Sequence, residues 1–199
     1  MRAIELLARL EAALASEPGA ESPSGAVPAE VREAAVAVVF RVTAEDALEL
    51  LMIERASYEG DPWSGHVAFP GGRREPPDAT PLETAVRETR EELGIDLLET
   101  GRLLGGLERV GPLSPVLPAI SIAPFVFHMT TFVPLTISDE VAVAFWVPLA
   151  ELQRADVSRN VDVTLSNGAR RTVRAFVHGE YTIWGLTERI LRDLLSRLS

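Results

Sequence analysis

The chain has 199 residues, 47% hydrophobic and 24% charged, enough for one sizeable core and too apolar to be disordered throughout. Its formal net charge of -10 argues against nucleic acid or an anionic membrane surface as partner, because both select basic faces; a small phosphorylated substrate stays open if a cation reverses the local field. With no cysteine, disulfides, zinc–thiolate sites and thiol nucleophiles are excluded, and a cytoplasmic setting is expected.

Residues 2 to 16 place Ile4, Leu7 and Leu14 at helical spacing, with Leu6 and Leu10 nearby. Charges interrupt this stretch throughout, so it predicts an amphipathic helix and not a secretory signal. Glu17 to Pro28 is rich in Pro, Gly and Ser and is expected to be a linker. The expected division is therefore a helix and linker over 1–30 and a folded domain over 31–199.

Within that domain, Ala34 to Val42 and Leu48 to Arg55 are short β-branched runs that suggest an antiparallel pair. A turn-rich stretch follows, with Val67 to Phe69 apolar before Pro70-Gly71-Gly72. The next helix is the best marked. Thr80 and Glu83 form a capping box, Pro81 takes the first helical position, and Gly94 supplies a stop after Leu93. Leu103 to Glu108, Ile120 to His128 and Val141 to Val147 predict strands, and Leu149 to Arg154 a short helix. Val161 to Ser166 and Arg170 to Val177 flank Asn167-Gly168, a hairpin signal. Ile183 to Leu198 is expected to close the chain as an amphipathic helix. No apolar run is long enough to span a bilayer. The pattern implies a mixed α/β (α+β) fold with helices packed on a sheet.

On a wheel of about 100° per residue, Leu82, Ala85, Val86, Thr89 and Leu93 form the core stripe of residues 81 to 93. Glu88, Glu91 and Glu92 fall on another face at i, i+3 and i+4, which predicts one carboxylate patch. A solvated charged face is the plainer explanation of such a patch taken alone. Hard oxygen donors grouped this way also suit magnesium or manganese. The order of strand, glycine loop, capped helix and clustered glutamates favours the cation site, and Arg87 lies four residues before Glu91, within reach of an ion pair.

Gly72-x5-Asp78-x8-Arg87-Glu88-Thr89-Arg90-Glu91-Glu92-Leu93-Gly94-Ile95 resembles the signature box of the Nudix hydrolase family. Asp78 stands where that box usually has Glu, the gap to Arg87 is one residue longer, and Thr89 replaces an aliphatic residue. The resemblance implies the Nudix fold, a mixed β-sheet sandwiched between helices, and a metal-dependent hydrolase of phosphoanhydride bonds. It further implies that Glu88, Glu91, Glu92 and the Gly72 carbonyl hold Mg2+ or Mn2+, and that Glu88 or a nearby carboxylate activates water. Arg87 would orient Glu91, and Asp78 would brace the loop against Arg87.

Leu50 to Ala56, with Arg55, and Gly65 to Gly72 resemble the coenzyme A pyrophosphatase-like branch, which implicates Arg55, Gly71 and Gly72 in substrate binding. Asp61 stands where that branch has an internal arginine, and Trp63 and His66 also depart from it. Asp139-Glu140-Val141, Phe145 to Leu149 and Tyr181 to Thr187 resemble later segments of the same branch, making Glu140 a further candidate ligand or base. Ile183, Trp184 and Leu186 are expected to dock the last helix, while His128 and His178 are expected to be isolated and structural or exposed. The resemblance covers Ala34 to Leu195. It implies cleavage of a nucleoside diphosphate derivative, with coenzyme A or an acyl derivative first. ADP-ribose, dinucleotides and nucleotide sugars are the alternatives. A homodimer is left open. From a different class, the alternative is a catalytically silent nucleotide-binding module, which predicts losses among the glutamates where none is lost; an isomerase of the isopentenyl diphosphate kind would need a cysteine by family analogy, and the chain has none.

Overall fold

The computed structural model describes residues 2–15, 27–28, 30–60, 63–112, 118–165 and 168–198. The expected linker falls largely outside these residues, as do Asp61 and Asn167. In chain order the elements are α1 (Ala3–Ala15), β1 (Arg32–Val42), β2 (Leu48–Arg55), β3 (Val67–Ala68), β4 (Gly71–Arg73), α2 (Pro81–Leu93), α3 (Leu97–Thr100) and β5 (Gly101–Gly106). They continue as β6 (Ile120–Met129), β7 (Val141–Pro148), α4 (Leu149–Leu152), β8 (Ser158–Thr164), β9 (Arg170–His178), β10 (Tyr181–Trp184) and α5 (Gly185–Ser196).

Strands β3, β2, β1, β6 and β5 lie side by side in that order, with β4 pairing β1 and β7 pairing β2. The β1–β6 pair is parallel, while the other pairs are antiparallel, so the sheet is mixed as expected. β1 is buried on both sides, which explains why its sequence is a near-continuous apolar run. Ala35, Ala37 and Val39 join the cluster under α2, whereas Val38 and Phe40 join the one containing α1 and α5 residues. That alternation is the period of two of a β-strand, and it makes the sheet the middle layer between helices.

Several boundaries differ from expectation. Leu7, Leu10 and Leu14 of α1 are buried as expected, whereas in the first turn the stripe is offset from Ile4, which is exposed, to Ala3. Tyr181 to Trp184 form a third strand beside β9, so the closing helix begins at Gly185, not at Ile183. Gly185 takes a left-handed φ of 68°, which lets the chain turn from strand to helix without a Cβ clash. The strand expected at Leu103 to Glu108 runs from Gly101 to Gly106 and is kinked by a register shift between Leu103 and Gly105.

Helix α1 is tied to this core chemically as well as by packing. Asp46, in the β1–β2 turn, accepts a 3.2 Å hydrogen bond from the Ala3 amide, and Arg102 of β5 pairs with Glu11. Leu10 is fully buried, so Leu10→Ala removes a filled volume and should destabilise the protein by about 3 kcal/mol. Urea unfolding measures this. A loss under 0.5 kcal/mol, the size of a surface change, would contradict the docking.

Candidate active site

The site is assembled at the junction of β4 and α2. Thr80 accepts a 3.2 Å hydrogen bond from the Glu83 amide, and Glu83 in turn accepts one of 2.9 Å from the Ala79 amide, so the capping box reaches one residue further back than its usual form. At the other end Gly94 adopts φ 71° and donates to the Arg90 carbonyl at 2.9 Å. The helix is thereby fixed at both ends. Ala85, Thr89 and Leu93 are buried as the wheel predicts, and the Thr89 hydroxyl donates to the Ala85 carbonyl at 2.7 Å, which satisfies its polar atom inside the core.

Arg87 is the hub. Its guanidinium donates to both oxygens of Asp78 at 3.0 Å, to the Arg73 carbonyl at 3.0 Å and to Glu91 at 2.8 Å, and stands 3.1 Å from Glu88. Asp78 is itself buried and receives hydrogen bonds from the Thr84 hydroxyl and the Glu75 amide. The hydrogen bond from Arg87 is the main cause that lowers the Asp78 pKa to about 2, and the Arg87 value is raised in turn. One arginine therefore locks the 73–78 loop onto α2.

The three glutamates do not share one patch. Glu92 is buried and accepts a 2.8 Å hydrogen bond from the Gly71 amide, while Glu91 is more than half exposed and held by Arg87. Glu88 is mostly enclosed, against Gly72. A Cβ at residue 72 would lie 2.5 Å from the Glu88 carboxylate carbon, and one at residue 71 would lie 2.3 Å from the Ala35 carbonyl oxygen. Gly71 is required by this close approach to backbone and by its φ of 145°, whereas a side chain at residue 72 would displace the Glu88 carboxylate.

Glu88, Glu92 and Glu140 line one cavity of about 490 Å³ together with Arg55, Gly71 and Gly72. Glu91 is not among its lining residues. The Glu140 loop is held from two sides: its carbonyl accepts from Ala56 at 2.9 Å, while Ser138 and Thr136 donate to the Glu92 and Leu93 carbonyls at 2.9 Å. Burial raises the pKa of Glu92 to about 8 against the Gly71 hydrogen bond, with Glu88 and Glu140 raising it further and Arg55 opposing them. Burial likewise raises Glu88, with Arg87 opposing. Negative charge is thus crowded at a place where water is scarce, and a cation would relieve it.

Among the described residues no three acidic or histidine side chains form a ready cation cage. What is in place is an oxygen-only set, two enclosed carboxylates beside a backbone with no side chain at Gly72. That fits magnesium, which binds few carboxylates and keeps several waters.

Sequence reasoning missed parts of this cavity. Trp184 was expected to serve packing alone, yet it lines the cavity and meets His66 with ring centroids 4.5 Å apart. His178 is not isolated: its Nδ1 lies 2.7 Å from a Glu151 oxygen. His128 is half-buried on β6, where burial lowers its pKa. No local sequence signal marks Trp184 as cavity-facing, because its neighbours come from β9 and His66.

Comparison with solved structures first defines the fold. A MutT/nudix family protein from Enterococcus faecalis matches with TM-score 0.59 at 20% identity, covering 88% of this chain and 64% of that one. The NUDIX domain of Shewanella oneidensis NrtR, solved with ADP ribose, matches with TM-score 0.59 at 16% identity, covering 87% and 91%. The NUDIX domain family model matches residues 31–166, and the chain belongs to that family. An uncharacterised protein of Schizosaccharomyces pombe is 36% identical over 132 residues, 64% of this chain and 40% of that protein. Human mitochondrial coenzyme A diphosphatase NUDT8 is 33% identical over 141 residues, 68% and 56%. The Nudix hydrolase NudL of Yersinia enterocolitica is 31% identical over 153 residues, 75% and 74%. The matches thus cover less than two thirds of the length of the first two relatives. No helix among the described residues is long and apolar enough to cross a membrane.

The Arg87–Asp78 lock makes a stability prediction. Asp78→Asn should cost about 3 kcal/mol by breaking the buried ion pair, leaving Arg87 its contacts to Glu91, Glu88 and the Arg73 carbonyl. Because the folded pKa of Asp78 is depressed, to about 2 from an ordinary 3.8, its contribution is complete above pH 3.8 and fades as pH falls through 2. The stability gap between the two proteins, followed by urea unfolding from pH 7 to pH 2, should close towards the acid end. A gap that stays constant over this range would contradict the ion pair.

Proposed function

We propose that this chain hydrolyses the diphosphate linkage of a nucleoside diphosphate derivative with the help of Mg2+ or Mn2+, and that coenzyme A or an acyl derivative is its substrate. The observation that carries this reading is the cavity in which Glu88, Glu92 and Glu140 face Arg55 beside the Gly71-Gly72 backbone. The 33% identity to human coenzyme A diphosphatase NUDT8 supports the choice of substrate.

In this reading Glu88, Glu92 and the Gly72 carbonyl would hold the cation, with Glu91, paired to Arg87, as the outer carboxylate of the same helix. A bound divalent cation supplies charge neutralisation of the diphosphate and lowers the pKa of a coordinated water. Arg87 keeps Glu91 and Glu88 in register with the glycine loop, acting through them and not on the substrate. Arg55 pairs with a phosphate oxygen, opposing the charge that builds as the bond breaks. Glu140, on a loop braced from two sides, serves as a further ligand or as the base that takes the proton of the attacking water. A water oxygen bonds to one phosphorus, its P–O–P bond breaks, and the bridging oxygen leaves with the other phosphate.

The test is turnover of coenzyme A by the purified protein with magnesium, with the products identified. Two products each ending in a phosphate are expected, and Glu92→Gln and Glu91→Gln should each lower kcat by about 10²–10³ with the fold retained. Wild-type rates in both variants would sink the assignment of these glutamates.

A further inference from the structure

The cavity does not end at the glutamates. It continues between the sheet and the first turns of α5, where Val36, Ile120, Ile122, Trp184, Leu186 and Ile190 line it. Ala34 of β1 stands level with Ile122 of β6, and the parallel register sets Val36 two residues further along the same face. This is the face that α1 and α5 cover elsewhere, with Phe40, Val126, Leu191 and Leu194 closed in the core. Val36, Ile122 and Leu186 belong to that same layer, yet remain partly open because they border the cavity.

The two ends of the cavity differ in chemistry. Its carboxylates, Glu88, Glu92 and Glu140, and Arg55 belong to the diphosphate end, and Arg73 sits on an exposed position of β4. Under α5 the lining is mainly aliphatic and aromatic, with Thr187 and the His66 ring against Trp184 as polar additions. A ribose or hexose placed there would lose water from several hydroxyls and find few partners, at a cost for each unmatched group. An extended arm with few hydroxyls would instead bury apolar surface. Residues 181–198, which supply the α5 wall, lie beyond the family match at residues 31–166. Selectivity would then reside in a segment separate from the chemistry.

Resting on the function proposed above, we infer that the space between the β1–β6 face and the start of α5 is the subsite for an uncharged, extended, largely apolar arm attached to the diphosphate, and that Leu186, Ile122 and Trp184 set the preference for such an arm over a sugar.

The test uses two variants that fill the space from opposite walls, Leu186→Trp and Ile122→Trp, each checked for native circular dichroism and melting temperature. The first readout is the ratio of kcat/KM for coenzyme A to that for ADP-ribose, with magnesium. It should fall at least tenfold in both variants. The second needs no catalysis: pantetheine, the arm without phosphate, is titrated while the Trp184 indole and isoleucine methyl NMR signals are followed. Saturable shifts in the native protein that are lost in both variants support the subsite. Unmoved signals in the native protein, or an unchanged ratio in variants that fold, overturn it. If the native protein cleaves neither substrate, the functional reading fails while the pantetheine titration still decides the subsite.

Discussion

One guanidinium organises the catalytic corner of this protein. Arg87 joins α2 to the loop at residues 73–78 through Asp78 and the Arg73 carbonyl, while its remaining donors reach Glu91 and Glu88. The loop cannot move without breaking a bidentate ion pair that is largely out of water. Because Gly71 and Gly72 precede that loop directly, the same lock fixes the backbone against which Glu88 and Glu92 rest. The planar fork of arginine is needed here; a lysine ammonium could not address four groups in one plane.

The electrostatics follow from that packing. Buried carboxylates are costly unless paired or able to bind a cation, and Glu92 accepts a hydrogen bond from the Gly71 amide and feels the charge of Arg55. Its raised pKa and that of Glu88 come first from burial, with the neighbouring carboxylates adding to it. Such strain in a core residue would be a defect. At the wall of a cavity facing Arg55 it is what a site for a cation and a diphosphate requires.

Much of this was legible in the chain. The capping box, Pro81 and Gly94 fix the span of α2 because helix ends must satisfy orphaned backbone groups, a local demand that sequence reveals. The Arg87–Glu91 pair and the core stripe through Thr89 also followed from short-range spacing, whereas the Arg87–Asp78 brace was implied by the family resemblance. The separation of Glu92 from Glu91 did not. A wheel assigns an azimuth, but the identity of the neighbour on each side depends on β4, whose Gly71 amide takes up Glu92. The third strand at Tyr181–Trp184 was likewise hidden, because its pairing partner β9 and its cavity-facing tryptophan are tertiary facts. The offset of α1 has the same origin: Ile4 and Ala3 are both apolar, and only the sheet face beneath selects Ala3.

The account stands or falls on where a divalent cation binds. A crystal soaked in manganese and measured at the manganese absorption edge locates the ion by its anomalous signal. The signal is expected against the Glu88 and Glu92 carboxylates and the Gly72 carbonyl, within the cavity that Arg55 faces. Manganese found only elsewhere on the acidic surface, with that corner empty at saturating concentration, would contradict it.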